Sequence, residues 1–121
     1  DLQELDAAAG LLWAQKPYVK NYSYMSLTEA AELVTGEVLA ALIERGQLIK
    51  LNDDVILLAE TYEAMRDRVV ATIREQGSVT VAQVRDLFDT SRKYALALLG
   101  YLDEQRITRR VGDERVLRGA S

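Results

Sequence analysis

A chain of 121 residues with a formal charge of −4, 49% hydrophobic and 28% charged residues and a single proline has the composition of a folded protein, either one domain or two small modules. It contains no Cys and no His, which excludes disulfide frames, thiolate nucleophiles, imidazole bases and zinc sites of the Cys/His kind. Its longest apolar runs, Val55 to Ala59 and Ala95 to Leu99, fall far short of the ~20 residues that span a bilayer.

Taken in chain order, the sequence repeats itself. Residues Leu2 to Gln15 read as a helix and Tyr22 to Met25 as a short extended segment. Leu27 to Val34 then forms an amphipathic helix, Glu37 to Arg45 a third helix, and Gln47 to Leu51 and Val55 to Leu58 two strands. The second half follows the same order. A long helix runs over Glu60 to Gln76, an extended pair over Val79-Thr80, and helices over Val81 to Phe88 and Ser91 to Gln105; strands cover Ile107 to Val111 and Arg115 to Leu117. Apolar positions of the second helix match at an offset of 54, Leu39, Leu42 and Leu48 fall over Leu98, Tyr101 and Ile107 at 59, and Ile56-Leu57 falls over Val116-Leu117 at 60. The growing offset predicts five extra residues between helices two and three of the second copy, and one more in its hairpin.

Gly46 and Gly77 stand where helix C-caps are expected, and Asn52-Asp53 and Gly112-Asp113 are residues that tolerate positive φ in tight turns. A helix-turn-helix followed by a hairpin "wing", twice over, predicts a mainly α fold with small β-hairpins: two tandem winged-helix modules, residues 1–59 and 60–121. No linker separates them, which predicts a fixed mutual orientation.

Charge divides between the halves. Residues 1–65 carry −7 and residues 66–121 carry +3, and ten of the eleven cations in the second half are Arg. Arg92-Lys93 and the group Arg106, Arg109, Arg110, Arg115 and Arg118 form the clusters. Arg presents a planar donor fork suited to phosphate, although a solvated face with ion pairs would use the same residues. Asp89, Thr90 or Ser91 can cap the third helix of the second module, which places Arg92, Lys93 and Tyr94 in its first turn. Cations there oppose the helix dipole, at a cost of several tenths of a kcal/mol each, and a bound phosphate would explain them. In the wing, alternation sets Arg109 and Val111 on one face and Thr108 and Arg110 on the other, with Arg110 and Arg115 straddling the turn.

Beyond Lys93 the third helix has a core stripe of Ala95, Leu98, Leu99 and Leu102 and an outer face that reads as small or acidic. A helix lying in a DNA major groove should carry basic or amide side chains over several turns, so contact by the helix tip favours RNA. Tyr94 either stacks on a splayed base or packs against the module.

Ser91-Arg92-Lys93-Tyr94 with its apolar helix ending Tyr101-Leu102-Asp103, and Thr108-Arg109-Arg110-Val111-Gly112-Asp113, resemble the last winged-helix module of SelB, the selenocysteine-specific translation elongation factor family. The resemblance covers residues 78–119 closely and the first half through order of elements. It implies that the chain is the third and fourth of four C-terminal winged-helix modules, the last binding the SECIS hairpin of selenoprotein mRNA. It further implies that Ser91, Arg92, Lys93 and Tyr94 meet the hairpin backbone and loop, and that Arg109, Arg110 and Arg115 grip phosphates. Arg106 and Arg118 have ordinary structural explanations. The ribosome, selenocysteyl-tRNA and GTP would be partners of domains upstream, and the full-length protein a GTPase in the cytoplasm.

The first module lacks the cation pair at its third helix and has the acidic turn Asn52-Asp53-Asp54, which suits a spacer. Its opening residue is Asp1 rather than Met, so the chain reads as a piece of something longer, and nothing at its start resembles a signal peptide. Two other classes stand against the RNA reading: a winged-helix DNA-binding transcription regulator and a protein-interaction scaffold. The adjacent carboxylates Asp53-Asp54 and Asp103-Glu104 have no partner base, so no catalytic site, cofactor or metal is expected.

Overall fold

The computed structural model describes residues 25–119 and four earlier positions, Glu4, Ala7, Ala8 and Gly10, all helical. Most of the helix expected over Leu2 to Gln15, and the extended segment before Met25, lie outside the described residues. Two compact units divide the chain, residues 1–62 and 63–121.

In the first unit, β1 (Met25–Ser26) leads into α1 (Leu27–Leu33) and α2 (Gly36–Glu44), followed by β2 (Leu48–Lys50) and β3 (Val55–Leu58). Helix α3 (Ala59–Gln76) comes next. The second unit repeats the pattern with β4 (Val79–Thr80), α4 (Val81–Leu87), α5 (Arg92–Glu104), β5 (Thr108–Val111) and β6 (Glu114–Leu117). Each sheet is antiparallel, with its two-residue strand and the first hairpin strand flanking the second: β1-β3-β2 and β4-β6-β5. This is the winged-helix arrangement twice over.

Local chemistry sets the helix starts. Ser26 and Thr80 build matching capping boxes: each hydroxyl accepts from the backbone N–H three residues on, and Glu29 or Gln83 reaches back to the cap N–H. Thr35 and Ser91 cap α2 and α5, so of the three candidates ahead of α5 it is Ser91 that caps. The core of the first unit gathers Ala30, Leu39, Leu42, Leu48 and Ile56, with Ile43 packed against them. In the second, Val69, Ile73, Val79, Val84, Phe88, Leu98, Leu99 and Leu102 are buried, together with Ala95. Full burial of each large aliphatic contributes about 1.5–3 kcal/mol.

Superposing the hydrogen-bond patterns corrects the sequence register. Gly46 and Gln47 donate to the carbonyls of Ile43 and Leu42 at the end of α2, while Arg106 and Ile107 donate to those of Asp103 and Leu102 at the end of α5. The third helices therefore align at offset 60, not 59, and Leu39 and Leu42 correspond to Leu99 and Leu102, all buried. The caps, Thr35 and Ser91, align at 56. Two of the extra residues thus lie in the turn before α5, and four lengthen the helix by one turn, Arg92 to Ala95.

The hairpin is shorter in the second unit, not longer. Residues Asn52 to Asp54 connect the strands in the first, where Leu51 N–H still donates to Val55; only Gly112-Asp113 do so in the second, with Val111 opposite Glu114. Gly112 has φ +63°, in the Gly-first pattern of a type II′ turn. Asn52 works by a different device from the positive φ expected of it. Its side-chain oxygen accepts from the N–H groups of Asp54 (2.8 Å) and Val55 (3.0 Å).

Gly46 and Gly77 follow their helices with φ of +78° and +91°. Arg106 occupies the position equivalent to Gly46 at φ +61°, where a side chain is strained by roughly 1–2 kcal/mol. Replacing Arg106 with Gly is expected to raise stability by about 0.5–1 kcal/mol, after the added freedom of the unfolded chain is subtracted. Urea unfolding of Arg106→Gly against the parent chain measures it.

Candidate nucleic-acid interface

The added helical turn is where the cations sit. Arg92 and Lys93 are exposed in the first turn of α5, Tyr94 is half-buried, and Ala95 faces the core. Ser91 holds the turn by accepting from Tyr94 N–H at 3.4 Å. Lys93 Nζ lies 5.7 Å from the Tyr94 ring centroid, a cation–π distance that braces the two side chains against each other.

Three elements of the second unit meet around a cleft of about 470 Å³. The first turn of α4 with its cap contributes Thr80, Val81 and Ala82, α5 contributes Arg92 and Leu96, and the wing contributes Arg110, Asp113 and Arg115. Strand register explains why the wing presents two arginines together: Arg110 pairs directly with Arg115 across the hairpin, on the face shared with Thr108. Like charges in that relation repel. Arg110 is held by donating from Nε to the Gly112 carbonyl at 2.8 Å.

Arg115, expected from the sequence to grip phosphate, is only 7% exposed in its side chain. Its Nε donates to Asp103 Oδ2 at 3.0 Å, and the Thr108 hydroxyl donates to Asp103 Oδ1 at 2.6 Å. Both oxygens of one carboxylate at the end of α5 therefore fasten both strands of the wing. Arg115 still lines the cleft, and with Nε engaged its two Nη groups are the donors left for a ligand there.

Of the seven residues singled out in the sequence, the structure brings Arg92, Arg110 and Arg115 together. Ser91, Lys93 and Tyr94 lie at the adjoining helix tip without lining the cleft. Arg109 stays apart, exposed on the other face of the hairpin with Val111. Neither Arg92 nor Arg109 has a carboxylate partner among the described residues. Arg118 belongs to a different cleft of about 760 Å³, with Arg66, Arg74 and the apolar Val70, Ile107 and Leu117. The outer face of α5, read as small or acidic, also carries Leu96, 40% exposed and one turn beyond Arg92. Leu96, Asp103 and the α4 capping turn were missed; the capping turn had a signal, Thr80 followed three residues later by Gln83.

Helix-turn-helix plus wing, with arginines converging from the third helix and the wing, defines a tandem winged-helix protein whose second unit carries a cationic cleft. Residues 71–117 match the family model described as elongation factor SelB, winged helix. The chain is also similar to the selenocysteine-specific elongation factors of Desulfomicrobium baculatum (32% identical over 77 residues, 64% of this chain) and Haemophilus influenzae (33% over 73 residues, 60% of this chain). It spans 12% of the length of each. Two solved structures share the fold at 22% identity. The mRNA-binding domain of Escherichia coli SelB, solved in complex with SECIS RNA, gives a TM-score of 0.72 over 92% of this chain and 97% of that one. A bacterial selenocysteine-specific elongation factor, EF-Sec, gives 0.76 over 96% of this chain and 19% of that one. Residues 71–117 are thus similar to a SelB winged helix, and the chain shares the fold of these two structures.

Among the described residues no helix is long and apolar enough to cross a membrane, and no cluster of carboxylates could hold a metal ion.

Removing the Asp103 carboxylate strands a buried guanidinium and a buried hydroxyl together. Asp103→Ala is expected to lower stability by about 1.5–3 kcal/mol, with Glu104→Ala within about 0.5 kcal/mol of the parent. Thermal or urea unfolding of both variants checks the contrast.

Proposed function

We propose that the second unit binds an mRNA stem-loop of the SECIS class, so that the chain serves as the RNA-binding part of a selenocysteine-specific elongation factor. The observation that carries this reading is the convergence of Arg92, Arg110 and Arg115 on one cleft at the N-terminus of α5. Guanidinium forks and helix-end N–H groups are the groups that phosphate oxygens take as partners. The SelB relatives and the E. coli domain bound to SECIS RNA support the choice of ligand. In this reading Arg92, Lys93, Arg110 and Arg115 contact the backbone, Arg109 reaches phosphate from the outer side of the wing, Ser91 keeps the helix tip in place, and Tyr94 stacks on an unpaired base.

The recognition is by helix tip and wing. Along α5 the exposed positions after the first turn include Leu96 and Glu104 rather than a row of donors, which disfavours a helix laid in a DNA major groove. Residues 1–59 act as a spacer, since the acidic first unit would repel phosphate. Selenocysteyl-tRNA, GTP hydrolysis and the ribosome engage other parts of the full-length factor, in the cytoplasm, and this chain itself needs no cofactor and catalyses no reaction.

With five phosphate-contacting cations the affinity for a SECIS hairpin should fall with salt at a log–log slope of about −4. Arg92→Ala, Lys93→Ala and Arg110→Ala should each weaken binding by about 1–3 kcal/mol without unfolding, and flatten the slope by about 1. Titration of the folded variants at several salt concentrations measures both; unchanged affinity in all three would reject the site.

A further inference from the structure

Comparing the two units position by position isolates a substitution that folding does not call for. The register places Met25 opposite Ile56 in the first sheet and Val79 opposite Arg115 in the second, so Arg115 occupies the place of Ile56. Leu48 pairs with Leu58 and Thr108 with Leu117, so Thr108 takes the place of Leu48. The helix-end hydrogen bonds place Asp103 where the first unit has Ile43. Leu48 and Ile56 are buried in the first unit's core and Ile43 packs against it. Three apolar side chains in one copy have become a hydrogen-bonded Asp-Thr-Arg set in the other.

An apolar set demonstrably completes this fold in the first unit. Burying Arg115 against a half-buried Asp103 in its place brings a desolvation cost that well-packed aliphatics avoid. The replaced positions end at the cleft: Arg115 lines it, and the other two members hold Arg115 there.

We infer that Asp103, assisted by Thr108, is a positioning residue for RNA binding: it fixes the Arg115 guanidinium by Nε so that the two Nη groups are presented to a phosphate in the cleft. This inference rests on the RNA-binding reading above. Held in advance, the guanidinium loses little side-chain freedom on binding. Because Asp103 also compensates part of the repulsion between Arg110 and Arg115, it lets two cations share one face of a two-residue hairpin.

The inference predicts an effect of unusual sign. Removing a carboxylate near a polyanion site strengthens binding on charge grounds alone. Asp103→Asn should instead weaken binding of a SECIS hairpin by about tenfold or more, the scale of one charge-assisted hydrogen bond. The test is a double-mutant cycle with Asp103→Asn, Arg115→Met and the pair, titrated with the hairpin at one salt concentration and at a temperature where circular dichroism shows each variant folded. In the Arg115→Met background Asp103→Asn should change affinity less than twofold. Glu104→Gln, one residue on, should bind as the parent does or slightly tighter.

Tighter or unchanged binding by Asp103→Asn would overturn the inference, and so would an equal loss in both backgrounds, which marks a merely structural role. Arg92→Ala, measured alongside, separates the two levels. A loss in Arg92→Ala with none in Asp103→Asn sinks the positioning role alone, and no loss in Arg92→Ala, Lys93→Ala and Arg110→Ala alike sinks the site itself.

Discussion

The Asp103 carboxylate is the joint on which the second unit's cationic face depends. It stands in the C-terminal turn of α5, accepts from Thr108 on the first wing strand and accepts from Arg115 on the second. Without it the wing would carry Arg110 and Arg115 as an uncompensated cross-strand pair, and Thr108 would be a buried hydroxyl without a partner. With it the hairpin is anchored to the helix whose opposite end bears Arg92 and Lys93. One side chain therefore couples the position of the wing to that of the helix, and the cleft lies between the two.

The two units show how a single fold gains a cationic cleft by small changes in its least constrained parts. Capping boxes, strand order and the buried leucines of the third helix are shared. The differences are two added residues in the turn before α5, one extra helical turn at its tip, a hairpin loop shortened from three residues to two, and three apolar positions turned polar. Each change alters the same surface. The added turn places cations at a helix N-terminus, at a cost to helix stability of several tenths of a kcal/mol apiece; the tight Gly112-Asp113 turn brings Arg110 opposite Arg115. Leu96, exposed beside Arg92, gives the cleft an apolar patch that can pack against a sugar or base.

Much of this was legible in the sequence, because helix and strand periods and the punctuation by Gly46, Gly77 and Gly112 depend on local rules. The third-helix core of Ala95, Leu98, Leu99 and Leu102 is buried as its spacing requires. Where the reading slipped, it did so by one residue. Matching leucines by chemistry set Leu48 over Ile107, whereas backbone hydrogen bonds set it over Thr108, and in a strand one residue exchanges the two faces. That slip concealed both the role of Asp103 and the burial of Arg115. No local pattern announces a triad whose members lie 5 and 12 residues from Asp103 and meet only across a hairpin. The extra turn of α5 was misplaced for a related reason, since residues that lengthen a helix and residues that lengthen a turn shift an alignment equally.

Recognition of a folded RNA loop by a helix tip and a wing is the central claim, and it separates this module from winged helices that lay their third helix along DNA. The direct test is a titration of the chain, at one salt concentration, against a SECIS stem-loop, the same stem with its unpaired bases closed, and duplex DNA of equal length. The account predicts that the stem-loop binds at least tenfold more tightly than either duplex. Equal or tighter binding to duplex DNA would contradict it.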